Sequence, residues 1–181
     1  MNAPTPRRTL LLVDGYNAIG QGEHLRTLRD RDGLDAARQS LAQELVNYSA
    51  HQGIETQLIF DAHYRDDGGS REVMSDRLTV VYTEFGQSAD TYIEKTCAVL
   101  KRDLAFARHR LMVATSDRTH RLTVSGYGAE WLSCAQLLGD MERSSQSLRR
   151  DRGRSTRSAG RFLASGLDRS VREKLAQMRY G

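Results

Sequence analysis

Three apolar runs in this chain lead into an aspartate. Leu10-Leu11-Leu12-Val13 runs into Asp14, Leu58-Ile59-Phe60 into Asp61, and Leu111-Met112-Val113-Ala114 passes through Thr115 and Ser116 to Asp117. A further acidic pair lies in Ser88-Ala89-Asp90-Thr91-Tyr92-Ile93-Glu94. Asp90 and Glu94 are four residues apart, so on a helix they share one face. Gathered carboxylates repel one another, and a fold tolerates them mainly where a cation neutralises them. Asp14, Asp61, Asp90 and Asp117 are therefore the candidate metal ligands. Hard oxygen donors select Mg²⁺ or Mn²⁺. One or two such ions activate a water and stabilise the leaving oxygen of a phosphodiester. Taken alone, Asp14 at a strand end also suits a turn former or a helix cap.

These acids need a scaffold that brings them to one edge. Continuous apolar runs bounded by turn residues read as strands buried on both faces of a parallel sheet. Such strands are expected at Leu10–Val13, 54–60, 78–82 and 111–114. A helix is expected from about Asp32 to Ala50, with Leu34, Ala37, Leu41, Leu45 and Tyr48 as its apolar stripe, stopped at Gly53. Ser88 is a candidate N-cap with Asp90 in the first turn. That helix is expected to run to about Arg108, burying Ile93, Cys97, Leu100 and Leu104. A short helix follows Asp117, and another starts near Ala129, burying Trp131, Cys134, Leu138 and Met141. Gln21 to Gly33 and His63 to Ser75 read as polar loops. Alternating strands and helices predict an α/β sandwich with a mainly parallel sheet, without fixing the strand order.

Charge divides the chain. Residues 143–181 hold eleven Lys or Arg against Asp151, Asp168 and Glu173, a net of +8, while the whole chain is +4. Residues 1–142 therefore carry −4 by difference. The expected organisation is a domain over 1–142 and a basic, partly helical extension over 143–181, with weak periodicity from Asp168 to Met178. A basic extension on an acidic domain points to a polyanion partner; a solvated extension has the same composition. Arg149, Arg150, Arg152, Arg154 and Arg157 are the candidate phosphate contacts, arginine being suited to bidentate pairing.

Several functional classes fail on spacing. Gly15, Gly20 and Gly22 do not make a dinucleotide fingerprint, and no phosphate-loop lysine follows them. No serine sits in a nucleophile elbow. The five histidines, His24, His51, His63, His109 and His120, lack zinc spacing and read singly as surface or loop residues. His63, behind Asp61 and near Arg65, is the one retained as a substrate contact. Cys97 and Cys134 read as reduced core residues. No segment approaches the roughly 20 apolar residues of a membrane span. The start also lacks a secretory apolar segment, so a cytoplasmic protein is expected. No apolar surface stripe is evident, so a monomer is the default.

Four motifs together resemble the YacP-like branch of the NYN nucleases, within the PIN-like superfamily. They are Leu12-Val13-Asp14-Gly15-Tyr16-Asn17, Phe60-Asp61-Ala62-His63, Ser88 to Lys95, and Val113-Ala114-Thr115-Ser116-Asp117, in the family's order between Leu10 and Met141. The resemblance implies a three-layer α/β/α domain with a central parallel sheet and an acidic pocket for Mg²⁺ or Mn²⁺. It also implies endonucleolytic cleavage of RNA, specifically messenger RNA on the translating ribosome, with no DNA substrate expected. On this resemblance Asp14, Asp90 and Asp117 match the metal-binding acids. Asn17 matches the polar residue of the signature, orienting a carboxylate or a metal-bound water, and Glu94 and Asp61 match further acidic positions. The catalytic set is thus Asp14, Asn17, Asp90, Glu94 and Asp117, with His63, Arg65, Arg118 and the tail arginines toward RNA. There is one departure: relatives often have another acid after the helix aspartate, where this chain has Thr91. That favours one resident ion, with a second recruited by substrate. The alternative reading is a catalytically weak RNA- or ribosome-binding protein that keeps the fold and works through its tail.

Overall fold

β1 (Thr9–Asp14) lies inside the sheet because both its faces are apolar: Leu11 and Val13 point one way, Leu12 the other, and all are buried. The computed structural model describes residues 8–61, 69–103, 106 and 109–166, with side chains through 150. After β1 come α1 (Gly15–Gln21), α2 (Glu23–Asp32), α3 (Leu34–Gln52), β2 (Glu55–Phe60), β3 (Ser70–Ser75) and β4 (Leu78–Tyr82). Then follow α4 (Ala89–Arg102), β5 (Arg110–Ala114), α5 (Arg118–Gly126), β6 (Glu130–Leu132) and α6 (Cys134–Gly166).

The strands form one sheet in the order β3-β4-β2-β1-β5-β6, parallel throughout except for antiparallel β3 against β4. From β1 the chain moves outward through β2 to β4, then returns to lay β5 on the other side of β1. The reversal between β1 and β5 is the switch point at which open α/β sheets form their crevice. One face of the sheet carries α1, α2, α3 and the start of α6, which bury Ile19, Leu25, Leu41, Leu45, Leu137 and Met141 against Leu11, Val13, Leu58 and Phe60. The other face carries α4 and α5, whose Ile93, Cys97 and Val124 pack on Leu12, Ile59 and Val113. The result is three layers, as expected from the alternation of apolar runs and helical stripes. By its internal contacts the chain divides into two units, Met1–Glu142 and Arg143–Gly181, and the boundary falls within α6.

Some elements differ from the sequence-based expectation. The segment read as a loop from Gln21 to Gly33 is helical almost throughout, as the end of α1 and all of α2. α2 buries Leu25 alone, which is too sparse a stripe for periodicity to show. The loop expected over 63–75 contains β3, an edge strand whose middle four residues are exposed and so lack the apolar run of an inner strand. The helix expected from Ala129 begins at Cys134 instead, and Trp131 sits on β6. Ser133 and Gln136 mark that start reciprocally: Ser133 Oγ accepts from the Gln136 N–H at 3.1 Å and Gln136 Oε1 accepts from the Ser133 N–H at 3.1 Å. α4 ends at Arg102, while Leu104 and the segment 168–178 lie outside the described residues. Ser88 caps α4 and left-handed Gly53 (φ 68°) closes α3, both as expected.

An aromatic stack braces the end of β1. Phe60 lies 5.1 Å from the Tyr16 ring and 5.8 Å from that of Tyr82, centroid to centroid. Buried Arg38 crosses above, 5.3 Å from Tyr16 and 5.6 Å from Phe60, donating to Asp35 Oδ1 at 2.6 Å and to the Tyr16 hydroxyl. Asp35 is exposed, so the ring contacts and the buried aliphatic stem carry most of the value. Arg38→Ala is expected to remove about 2 kcal/mol. In a thermal melt by circular dichroism this reads as a fall of about 4–8 °C in the midpoint.

Candidate active site

Asp14 ends β1 and caps α1. Its Oδ1 accepts the Asn17 N–H at 3.0 Å and its Oδ2 accepts the Asn17 side-chain amide at 2.5 Å. The signature Asp14-Gly15-Tyr16-Asn17 is therefore a strand-to-helix corner in which Asn17 grips both carboxylate oxygens. The turn-former and ligand readings of Asp14 are compatible, since the cap fixes the carboxylate that faces the crevice. Gly15 is the tight point of that corner, because a Cβ there would stand 2.2 Å from Phe60 Cε1. Asp14 is only 5 % exposed. Burial pushes its carboxyl above the usual range, the Asn17 hydrogen bonds pull it back, and the nearby charge of Asp90 pushes it up again.

Asp90 is in the first turn of α4, which Ser88 caps by accepting the Thr91 N–H at 3.2 Å. The Thr91 hydroxyl lies 2.9 Å from Ser88 Oγ, so the residue standing where relatives often have an acid is engaged in the cap. Glu94 follows one turn later on the same face. Between them stands His120, with Nδ1 2.9 Å from Asp90 Oδ1 and Nε2 3.8 Å from Glu94 Oε1. Neither ring nitrogen nor Asp90 Oδ1 makes a well-aligned hydrogen bond, so charge carries much of the pairing. Burial opposes a charge on the imidazole; Asp90, Glu94 and Asp14 outweigh it and hold His120 above the ordinary histidine range. His120 is the functional candidate that sequence reasoning missed: it is buried at 3 % exposure, not a surface or loop residue.

Asp117 caps α5, its Oδ1 accepting from the Thr119 N–H at 2.7 Å and the His120 N–H at 3.4 Å. The preceding loop is pinned from β6, where Trp131 Nε1 donates to the Thr115 carbonyl at 3.0 Å. Asp117 itself is exposed, as is Arg118 beside it. Its cap aims the first turn of α5, and so His120, at α4. Asp61 follows β2 directly, half-buried, on the side of β1 away from β5. Asp14, Asp90, Glu94 and His120 thus converge at the switch point, while Asp117 borders them and Asp61 lies across β1. Arg149 and Arg150 are exposed on α6. Arg152, Arg154 and Arg157 continue that helix with side chains outside the described residues, as are His63 and Arg65 entirely.

The two cysteines are free and buried, as expected. Burial pushes the Cys97 thiol up to about 11 and the Cys134 thiol up to about 12, which makes both inert. No described helix is long and apolar enough to cross a membrane.

The donor chemistry fits a hard divalent ion held sparingly. Asp90 Oδ1 is a buried oxygen with no hydrogen-bond donor, and Asp14 is crowded by a like charge. Among the described residues no three acidic, histidine or cysteine side chains form a group placed to hold a metal by themselves. An ion held through one or two carboxylates and its own waters, as Mg²⁺ usually is, suits that arrangement.

A parallel sheet between two helical layers, with a capped aspartate ending the central strand, defines a PIN-like α/β domain. The YacP-like NYN domain model matches residues 11–180, and the chain belongs to that nuclease-type family. It is 35% identical over 133 residues to the protein YacP of Bacillus subtilis (strain 168), covering 74% of this chain and 75% of that one. The crystal structure of Rae1 (YacP) from Bacillus subtilis superposes with a TM-score of 0.66 at 29% identity, covering 95% of each chain. The crystal structure of a mutant of that same Bacillus subtilis protein gives 0.64 at 29% identity, over 91% of this chain and 89% of that one. PIN-like nucleases of this kind generally use divalent metals.

Proposed function

We propose that this protein is a Mg²⁺- or Mn²⁺-dependent endoribonuclease that cuts messenger RNA on the translating ribosome, in the cytoplasm and as a monomer. The observation that carries the reading is the convergence of Asp14, Asp90 and Glu94 at the β1–β5 switch point in a family of nuclease type. Asp14 and Asp90 would hold the ion, with Asp117 at the border of the pocket. When bound, the ion would supply a water nucleophile at neutral pH and charge stabilisation for the leaving oxygen. The chain's own part is positioning. Asn17 locks the Asp14 carboxylate by two hydrogen bonds, and the Ser88 cap sets the first turn of α4, which carries Asp90. Arg118, exposed next to Asp117, would meet an RNA phosphate.

The test combines ribosome co-sedimentation with mapping of 5′ ends on a translated message, for the wild-type chain, Asp90→Asn, and the wild type with chelator. New 5′ ends made only by the wild-type chain with Mg²⁺ are expected. Co-sedimentation without any new ends would replace this reading with that of a ribosome-binding protein, which the separate basic unit 143–181 favours as the second possibility.

The basic unit carries its own prediction. Replacing Arg149, Arg150, Arg152, Arg154 and Arg157 together by Gln should abolish co-sedimentation at physiological salt and leave the melting midpoint nearly unchanged. In direct RNA binding the log–log salt slope should become shallower by up to about 3.5, since each neutralised phosphate releases about 0.7 of a counterion on single strands. An unchanged slope would show that the arginines do not meet phosphate.

A further inference from the structure

We infer that His120 is a positioning residue that occupies Asp90 and Glu94 and so limits the acidic pocket to one loosely held divalent ion. The inference rests on the metal-dependent reading above and deepens it. Three independent features place the imidazole there. Asp117 caps α5 through the backbone N–H groups of Thr119 and His120, so the cap that starts this helix also points its third residue inward. Val124, one turn later on the same face, is buried against the sheet, so the helix cannot roll to bring His120 out to solvent. Asp90 and Glu94, one turn apart on α4, present their carboxylates to the ring from the facing helix.

The ring is 2 % exposed, and both of its nitrogens and Asp90 Oδ1 are buried without an aligned hydrogen bond. An imidazole paired with these carboxylates through charge competes with a cation for them. The described residues present no group of three ligands, and the imidazole stands against two of the carboxylates nearest the switch point. Thr91, turned into the Ser88 cap, adds none. The pocket therefore keeps the Asp90 oxygens in a fixed place while holding back their affinity. The cation must take Asp90 from His120, and Glu94, beside the same ring, is held back from a second ion.

A positioning role of this kind has a signature that a ligand or a purely structural residue lacks: its removal tightens metal binding and slows turnover. The experiment is a Mn²⁺ titration of the full chain, followed by the electron paramagnetic resonance of free Mn²⁺, on wild type, Asp90→Asn, His120→Ala and His120→Gln. RNA cleavage and far-ultraviolet circular dichroism are measured on the same samples. The wild-type chain should bind one Mn²⁺, and Asp90→Asn should lose it. His120→Ala should bind Mn²⁺ about tenfold more tightly or take up a second ion, while cleaving about tenfold more slowly. His120→Gln, which keeps a polar group beside Asp90 without a charge, should fall between the two in both respects. It carries the test should His120→Ala fail to fold. Weaker Mn²⁺ binding in a folded His120 variant would make the histidine a ligand and overturn the inference, as would unchanged affinity and stoichiometry. A wild-type chain that binds no Mn²⁺ would overturn the metal-dependent reading and this inference with it.

Discussion

Asp14→Asn should lower RNA cleavage by about a thousandfold or more while the chain remains folded, because on the proposed function it removes the charge that would hold a divalent ion. The fold should survive because two effects of the substitution oppose each other. Asp14 is buried and its charge is disfavoured there by desolvation and by Asp90, so neutralising it relieves the site. Against this, Asp14 accepts two hydrogen bonds from Asn17, and an asparagine can accept only one of them before amide faces amide. The lost bond costs about 1 kcal/mol, and the relieved burial offsets it in whole or in part. The measurement is cleavage of a labelled RNA under Mg²⁺ beside a thermal melt. Near-wild-type cleavage by a folded Asp14→Asn chain would remove Asp14 from the machinery.

Gly15→Ala is expected to be the most damaging small substitution in the domain. In an ordinary helix the change from glycine to alanine is favourable by about 1 kcal/mol. Here the added methyl would sit 2.2 Å from Phe60 Cε1 and 2.5 Å from Cδ1. Phe60 is fully buried and held between Tyr16, Tyr82 and Arg38, so the ring has nowhere to turn. Overpacking of that severity costs about 3 kcal/mol or more, a fall of about 6–12 °C in the midpoint for a chain of this size. Because Gly15 adjoins Asp14, activity should fall further than the loss of folded protein explains. A smaller ring-side residue should rescue it: the Gly15→Ala, Phe60→Leu pair should be destabilised by less than the sum of its parts. Simple additivity would mean that the two positions do not meet.

The parts of the molecule that could be read from the sequence are those whose signal is local. β1, β2, β4 and β5 are apolar on both faces, and four residues in a row such as Leu10 to Val13 announce that directly. The caps of α4 and the stop of α3 are also local, set by Ser88 and Gly53. β3 was invisible because an edge strand needs no apolar run, and its outward Val73 and Met74 look like any loop. α2 has one buried side chain and therefore no period to detect. The start of α6 did carry a signal, the Ser133–Gln136 capping pair, which would have moved Trp131 out of the helix.

The acids stood out because each ends an apolar run or opens a helix. His120 has no such marker. Its partners Asp90 and Glu94 come from a different helix, and only the strand order, which pattern alone does not give, brings α5 beside α4. The one available clue was positional: with Asp117 as cap, His120 falls on the same helical face as the core residue Val124.

The register of β1 bears on the life of the chain before it is finished. Thr9 pairs with Arg110 and Val13 with Ala114, so β1 waits for this neighbour some hundred residues behind it. A ribosome elongates at roughly 5–20 residues per second, and distant strand pairings form late. Asp14 is thus made well before its partners across the crevice, and it stands beside no completed crevice until β5 and the first turn of α5 have followed. A chain released short of His120 carries Asp14, Asp90 and Glu94 but lacks the imidazole that stands between the last two, so the grouping at the switch point is complete only once α5 has begun.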